Sequence, residues 1–427
     1  HTLSNFLYVG NFNGSNGTYN LSGTGALSAY GEIISRLGSA TFTQSGGTNT
    51  VAGALFLGYA AGPGGTYNLS GGTLTTGETR VGDQANTSSF TQSGGTHTAG
   101  FLNLTGYDPA SQATYRLNGG TLAAGNVNSG DNGVRGTSTF NFNGGTLQAR
   151  GSHGSFFQDL TTANVQAGGA KIDSNGFAVT VAQNLLHDPA LGGTADGGLT
   201  KSGAGTLALS GANTYTGGTT FAAGTLNVGS AGALASSGTL LFTGGSLQYS
   251  AANTTDYSGR FRLVSNQAYS IDTNGQNVSL GNALTSTGGS LTKLGSGTLT
   301  LPTSSTYTAA TTVGGGTLAI SGRLVNTSGI VLNSGGTLSL SGSAAVTDRF
   351  KDAAPVTING GGTFATAGLK EGRLPLRQAV WAARPDWVRS RSWRPPPAHA
   401  RRSILRIPRR GARSSSVASP PGAAEHS

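Results

Sequence analysis

The sequence predicts an all-β chain wound into a parallel β-helix, a solenoid of short strands. Three observations carry that expectation. A unit recurs at near-fixed spacing: TYNLSGGTL at 66–74 returns as TYNLSGTGAL from Thr18, TFTQSGGTN from Thr41, SFTQSGGTH from Ser89, TYRLNGGTL from Thr114 and TFNFNGGTL from Thr139. Its aromatics stand at Tyr19, Phe42, Tyr67, Phe90, Tyr115 and Phe140, separated by 23, 25, 23, 25 and 25 residues. Within each unit, apolar and polar residues alternate with period two, so Tyr67 and Leu69 face one way and Thr66, Asn68 and Ser70 the other. Finally, 72 of the 427 residues are glycine, which suits frequent tight turns.

Residues 1–170 form about seven units of ~24 residues, a period that signals stacked repeats. Thr, Tyr, Phe, Val and Leu favour a pleated, half-buried surface. Gly-Gly is expected to break the first strand, Thr73-Leu74 to begin a second, and Thr79-Arg80-Val81 a third. No segment shows a 3.6-residue apolar period. Each unit then makes one coil, whose strands pair in parallel with those of the next coil ~4.8 Å away. One coil cannot bury its own apolar face, so neighbours must cover it. A propeller blade needs about 40–50 residues and four strands, more than this unit supplies.

A second-order period spans two coils. Tyr-x-Leu units (Tyr19, Leu21, Leu27; Tyr67, Leu69, Leu74) alternate with Phe-x-Gln units (Phe42, Gln44, Asn49; Phe90, Gln92, His97). If Gln44, Asn49, Gln92 and His97 face inward they need internal partners; at corners, water serves them. The sequence leaves both open.

Residues 171–368 use a longer module. LTKSGAGTLALSGANTYTGGTTFAAGTL from Leu199 aligns without gaps to LTKLGSGTLTLPTSSTYTAATTVGGGTL from Leu291. Lys201 and Lys293 coincide, as do Tyr215 and Tyr307, and Gly224 and Gly316. Upstream, IDSNG from Ile172 matches IDTNG from Ile271. At ~24 residues per coil, 368 residues give roughly 15 coils and a rod ~70 Å long.

This second half resembles the autotransporter-associated β-strand repeat, through GLTKSGAGTLAL at 198–209, NTYTGGTT at 213–220 and GTL at 224–226. The resemblance implies a right-handed parallel β-helix in a large secreted or surface protein of a Gram-negative bacterium. It also implies a neighbouring membrane barrel or sorting anchor, and neither is visible in this chain. It supplies no catalytic residues.

Residues 369–427 abandon the pattern. They hold 13 Lys+Arg against 3 Asp+Glu, leaving 13 basic and 13 acidic residues for 1–368. The net charge of +10 therefore describes the tail and implies no nucleic-acid partner for the body. The tail reads as an out-of-frame translation or a disordered basic linker, with an arm for phosphates and bases as the third alternative. The chain contains no Met and opens on a strand-like FLYVG, which predicts a fragment or an N-terminally processed product. No apolar run approaches the ~20 residues that span a bilayer.

The search for chemistry yields little. There is no Cys, hence no disulfide or thiolate site. Carboxylates are sparse and mostly isolated, whereas a glycosidase needs a pair. Asp83, Asp108 and Asp131 lie 25 and 23 residues apart, so one edge of the helix can carry them as a cation-binding column. The competing reading makes each a turn residue, in VGD, GYDP and SGD. Asp131 also lies nine residues before its aromatic while the other two lie seven before theirs. The six His are scattered without ligand spacing. Lys201 and Lys293 are expected on the surface, discouraging edge pairing. No cofactor and no catalytic residue are expected. The functional expectation is a non-enzymatic secreted or cell-surface β-helix, a stalk or adhesin at the extracellular or outer-membrane surface, contacting glycans or other cell-surface molecules. The alternative is a polysaccharide-active lyase or hydrolase on the same scaffold.

Overall fold

Strict alternation within units repeated every 23–25 residues favours parallel pairing between successive coils. The computed structural model shows it, and describes all residues except 106–107, 131–135, 343–347, 352 and 367–427. The tail from Leu369 and Asp131 thus lie outside the described residues. The chain is all-β, a parallel β-solenoid of about 15 turns. Two 3₁₀ turns, Pro189–Leu191 and Ser258–Arg260, interrupt it.

Every rung of the aromatic positions is in register. Tyr19 pairs with Phe42, Phe42 with Tyr67, Tyr67 with Phe90, Phe90 with Tyr115 and Tyr115 with Phe140. The six rings form one file, with centroids 4.6–5.2 Å apart and planes within 3–18° of each other. The file is a consequence of the fold: parallel rungs ~4.8 Å apart bring identical side chains to stacking distance. Each offset stack contributes about 0.5–1.5 kcal/mol beyond the area it buries.

Two expectations about regularity change. The Gly-Gly corners do not always break the strand: Ser39–Leu57 and Gly65–Val81 run on as single strands that bend at a register shift. Gly72 takes φ 76° there, and an added Cβ would sit 2.8 Å from the Gly46 carbonyl oxygen, so the corner needs glycine. The second half is also wound more tightly. Leu199 pairs with Thr219 and Leu207 with Leu226, so these coils take 20 and 19 residues instead of ~24. Their strands shorten to three to five residues, as in Thr219–Phe221 and Thr225–Val228.

The aromatic file ends where Phe140 meets Phe157 edge-on at 90°. Beyond it the buried interior is mainly aliphatic, with Ile172, Leu185, Leu207, Leu226 and Leu247 among its members. Each such side chain stabilises by roughly 1.5–3 kcal/mol.

Candidate functional site

The polar columns left open by the sequence point inward. Gln44, Asn49, Gln92 and His97 are all fully buried. Tyr67 Oη donates to Gln44 Oε1 at 2.6 Å, and Gln44 Nε2 donates to the Thr73 carbonyl at 2.9 Å. Two coils on, Tyr115 Oη donates to Gln92 Oε1 at 2.7 Å and Gln92 Nε2 to the Thr121 carbonyl at 2.9 Å. The two-coil period thus pairs Tyr67 and Tyr115 each with the glutamine one coil before it.

Asn49 and His97 fill equivalent places. Asn49 Nδ2 donates to Tyr67 Oη at 3.2 Å and to Glu32 Oε2 at 3.1 Å. His97 Nδ1 lies 3.1 Å from Tyr115 Oη, and Nε2 lies 3.1 Å from Thr79 Oγ1. The Tyr115 proton goes to Gln92, so Nδ1 carries the imidazole proton and Nε2 accepts from Thr79. Burial pushes the imidazole down to about 3, keeping it neutral. Burial pushes the Glu32 carboxyl up to about 7, with the Asn49 hydrogen bond opposing. Glu32 Oε1 accepts no hydrogen bond, so nothing at that oxygen offsets the desolvation that disfavours the charged form.

Lys201 and Lys293 are not surface residues. Both are fully buried, with ammonium groups held by backbone carbonyls. Lys201 Nζ donates to Ser202 and Gly203 at 2.7 Å and to Ala223 at 3.1 Å. Lys293 Nζ donates to Leu294 and Gly295 at 2.8 Å and to Gly315 at 3.0 Å. Three donors meet three acceptors at a corner where consecutive carbonyls converge, so the charge is solvated by the chain. Gly224 (φ 64°) and Gly316 (φ 59°) close the cage. An added Cβ would stand 2.9 and 3.0 Å from the respective Nζ. Burial pushes both ammonium groups down to about 8, with Asp173 and Asp272 opposing. The neighbouring IDSNG and IDTNG turns are equally alike: Asp173 accepts from Asn175 N at 2.7 Å, and Asp272 from Asn274 N at 2.9 Å.

Of the expected Asp column, Asp131 lies outside the described residues, and the structure places only Asp83 and Asp108. Asp83 is buried, 3.5 Å from Arg80 Nη1. Asp108 accepts from Ala110 N at 2.8 Å in a turn. No group of three His, Asp or Glu converges among the described residues.

One polar cluster was not singled out in the sequence. His187 Nδ1 lies 2.9 Å from Asp196 Oδ2 and 3.2 Å from Thr216 Oγ1, while Nε2 lies 3.0 Å from the Gly192 carbonyl. A nucleophile–base–carboxylate relay needs the hydroxyl and the carboxylate on opposite ring nitrogens. Here both face Nδ1, so the ring has no proton-accepting face for Thr216. The cluster clips the connection from Leu185 to Leu199, seven residues longer than its counterpart from Leu284 to Leu291. The Asp196 hydrogen bond, then that of Gly192, raises the His187 pKa.

What remains exposed is side-chain surface. Two side-chain columns run side by side along the third strand of the early coils, mixing exposed positions (Tyr8, Phe101) with covered ones (Ile33, Asn103, Asn126). One runs Tyr8, Ile33, Phe56, Arg80, Asn103, Asn128. The other runs Ala54, Glu78, Phe101, Asn126. Glu78 and Arg80 pair at 2.9 Å.

The described residues form a stack of parallel coils in which a lysine cage recurs at equivalent repeat positions. Two segments, 199–228 and 291–320, match the passenger-associated-transport-repeat, and each contains one lysine cage residue. The chain is also similar to "Adhesin BmaC autotransporter" of Brucella suis biovar 1 (strain 1330), 32% identical over 178 residues. That match covers 36% of this chain and 5% of the relative's length. No solved structure matches the chain. No helix among the described residues is long and apolar enough to cross a membrane.

Proposed function

We propose that the chain is a non-enzymatic adhesive and structural segment of a passenger domain displayed on the surface of a Gram-negative bacterium. The observation that carries this reading is the recurrence of the passenger repeat, cage lysine included, within the parallel stack. The relative's name, an adhesin autotransporter, supports it. Stacked coils present the same kind of outward column on every rung, which suits repeated weak contacts whose combined strength exceeds any single one. The buried groups with shifted pKa values face backbone carbonyls or neighbouring side chains, so their chemistry is spent on the fold.

The test displays the chain on a non-adherent Gram-negative strain and counts bacteria retained on cultured epithelial cells, in parallel with incubation of the purified chain with soluble glycans. The proposal expects retention above the vector control and glycans recovered intact. Robust glycan turnover would replace it with the polysaccharide-active enzyme.

A further inference from the structure

In the first three coils the third strand hands over to the next coil through turns at 10–15, 35–38 and 58–64. These turns stack through backbone hydrogen bonds: Arg36 N donates to the Gly10 carbonyl at 3.1 Å, and Tyr59 N to the Ser35 carbonyl at 3.0 Å. Exposed turns favour glycine, asparagine, serine and aspartate. These three also carry Phe12, Leu37 and Tyr59, which are 71%, 38% and 40% exposed. One coil further, the same connection reads GDQAN at 82–86 and returns to small and polar residues. Beyond Phe101 the large apolar side chains exposed among the described residues are Leu263, Val264 and Val325, none of them aromatic. Charge is as uneven. Within 2–77 the charged side chains are Glu32, fully buried, and Arg36, exposed on the middle turn beside Leu37. The apolar tips therefore stand in a purely positive setting.

We infer that the three tips dock on the surface of an anionic phospholipid bilayer, a contact beyond the adhesive reading because it needs no receptor on the cell. The side chains match the layers of that surface. Phe12 and Leu37 suit the acyl margin, the Tyr59 ring suits headgroup depth, and Arg36 beside them meets lipid phosphate. Width decides against a second copy or another folded protein. Three rungs span about 10 Å along the axis, too narrow for the ~800 Å² that each side of a stable protein interface buries. A bilayer needs no shaped counterpart, since lipid moves aside for whichever side chain enters. Ring orientation disfavours an extended saccharide, which stacks on coplanar faces: Tyr59 stands at 84° to Phe56, 5.0 Å away.

The experiment mixes the whole chain with vesicles of phosphatidylcholine alone and of an equimolar phosphatidylcholine–phosphatidylglycerol mixture, and reads bound protein by flotation at physiological salt. The expected result is saturable binding to the mixed vesicles, weaker binding to phosphatidylcholine, and no competition from soluble glycerophosphate. Phe12→Ser/Leu37→Ser should weaken binding to the mixed vesicles at least tenfold and Arg36→Gln about fivefold, each with unchanged melting. Leu263→Ser, which removes an 80% exposed side chain in the second half, should leave it unchanged. No binding to the mixed vesicles would overturn the assignment. So would binding that ignores the tip variants, which belongs to the basic residues 369–427. A dimer in sedimentation velocity that Phe12→Ser/Leu37→Ser dissolves would give the tips to a second copy and overturn it as well. The two claims fail separately. Cell retention without vesicle binding removes the lipid contact and leaves adhesion standing, and vesicle binding without retention does the reverse.

Discussion

The two halves of the solenoid solve one problem differently. Every parallel coil must bury its inward side chains and still close its corners, where backbone carbonyls converge. Residues 1–170 close the interior with rings: six stacked aromatics, of which Tyr67 and Tyr115 are each tied to a glutamine one coil away. Residues 171–366 use shorter coils, aliphatic columns and a lysine ammonium pinned by three carbonyls. The first solution needs hydroxyls, amides and one imidazole to remain neutral. The second needs a buried charge to remain charged. Their responses to pH and to mutation should therefore differ in kind.

The largest expected effect belongs to His97. Its folded pKa, about 3, lies below the ordinary value of about 6.5, so its stabilising contribution is present above pH 6.5 and is lost as pH falls toward 3. The loss is on the order of 5 kcal/mol and should fall on the first half. His97→Asn copies the arrangement at Asn49, and acid melts followed by circular dichroism should show the dependence flattened. If the wild type melts identically at pH 4 and pH 7, the neutral buried ring is wrong.

The lysine cage gives the next effect. Lys201→Met strands three carbonyls and should cost roughly 3–5 kcal/mol. Because a solenoid's stability is a sum of local and nearest-neighbour terms, the cost should stay near coils 199–228. Hydrogen exchange would show accelerated amides there and unchanged protection around Phe42–Tyr115. Uniform acceleration along the chain would erase the distinction between the halves.

Glu32 sharpens the comparison from the other side. Its folded pKa, about 7, lies above the ordinary 4.5, so its contribution is full below pH 4.5 and is lost as pH rises through 7. Glu32→Gln should stabilise the first half by about 3 kcal/mol at pH 8 and by little at pH 4, read from urea midpoints. The smallest effect is at His187, whose raised pKa makes its clip strongest below the ordinary histidine range and weaker as pH rises through the folded value. Limited proteolysis should nick the 188–196 connection faster at pH 9 than at pH 6, and His187→Gln should remove the difference.

Much of this was legible in the residues. Alternation and the 23–25-residue spacing placed Tyr19 through Phe140 in one file, and the Gly-Thr-Leu repeats marked the continuing coils. The burial of Lys201 was written in the same alternation: Leu199 and Lys201 share a parity, as do Leu291 and Lys293. The parity was outweighed by the general cost of burying a charge, since converging carbonyls are a property of the corner and not of any one residue. Gln44 and His97 stayed ambiguous for a related reason, as their partners Tyr67 and Tyr115 come from the next coil.

Register between rungs underlies all of these claims, and cysteine pairs read it directly in a chain with no Cys. Thr139 pairs with Thr162, their Oγ1 atoms 3.2 Å apart on the outer face, within reach of a disulfide. Thr139→Cys/Thr162→Cys should close within single chains under mild oxidation, while Thr139→Cys/Asn164→Cys, two residues out of step, should stay reduced. Equal closure of both pairs, or closure of the second alone, would contradict the stacked solenoid.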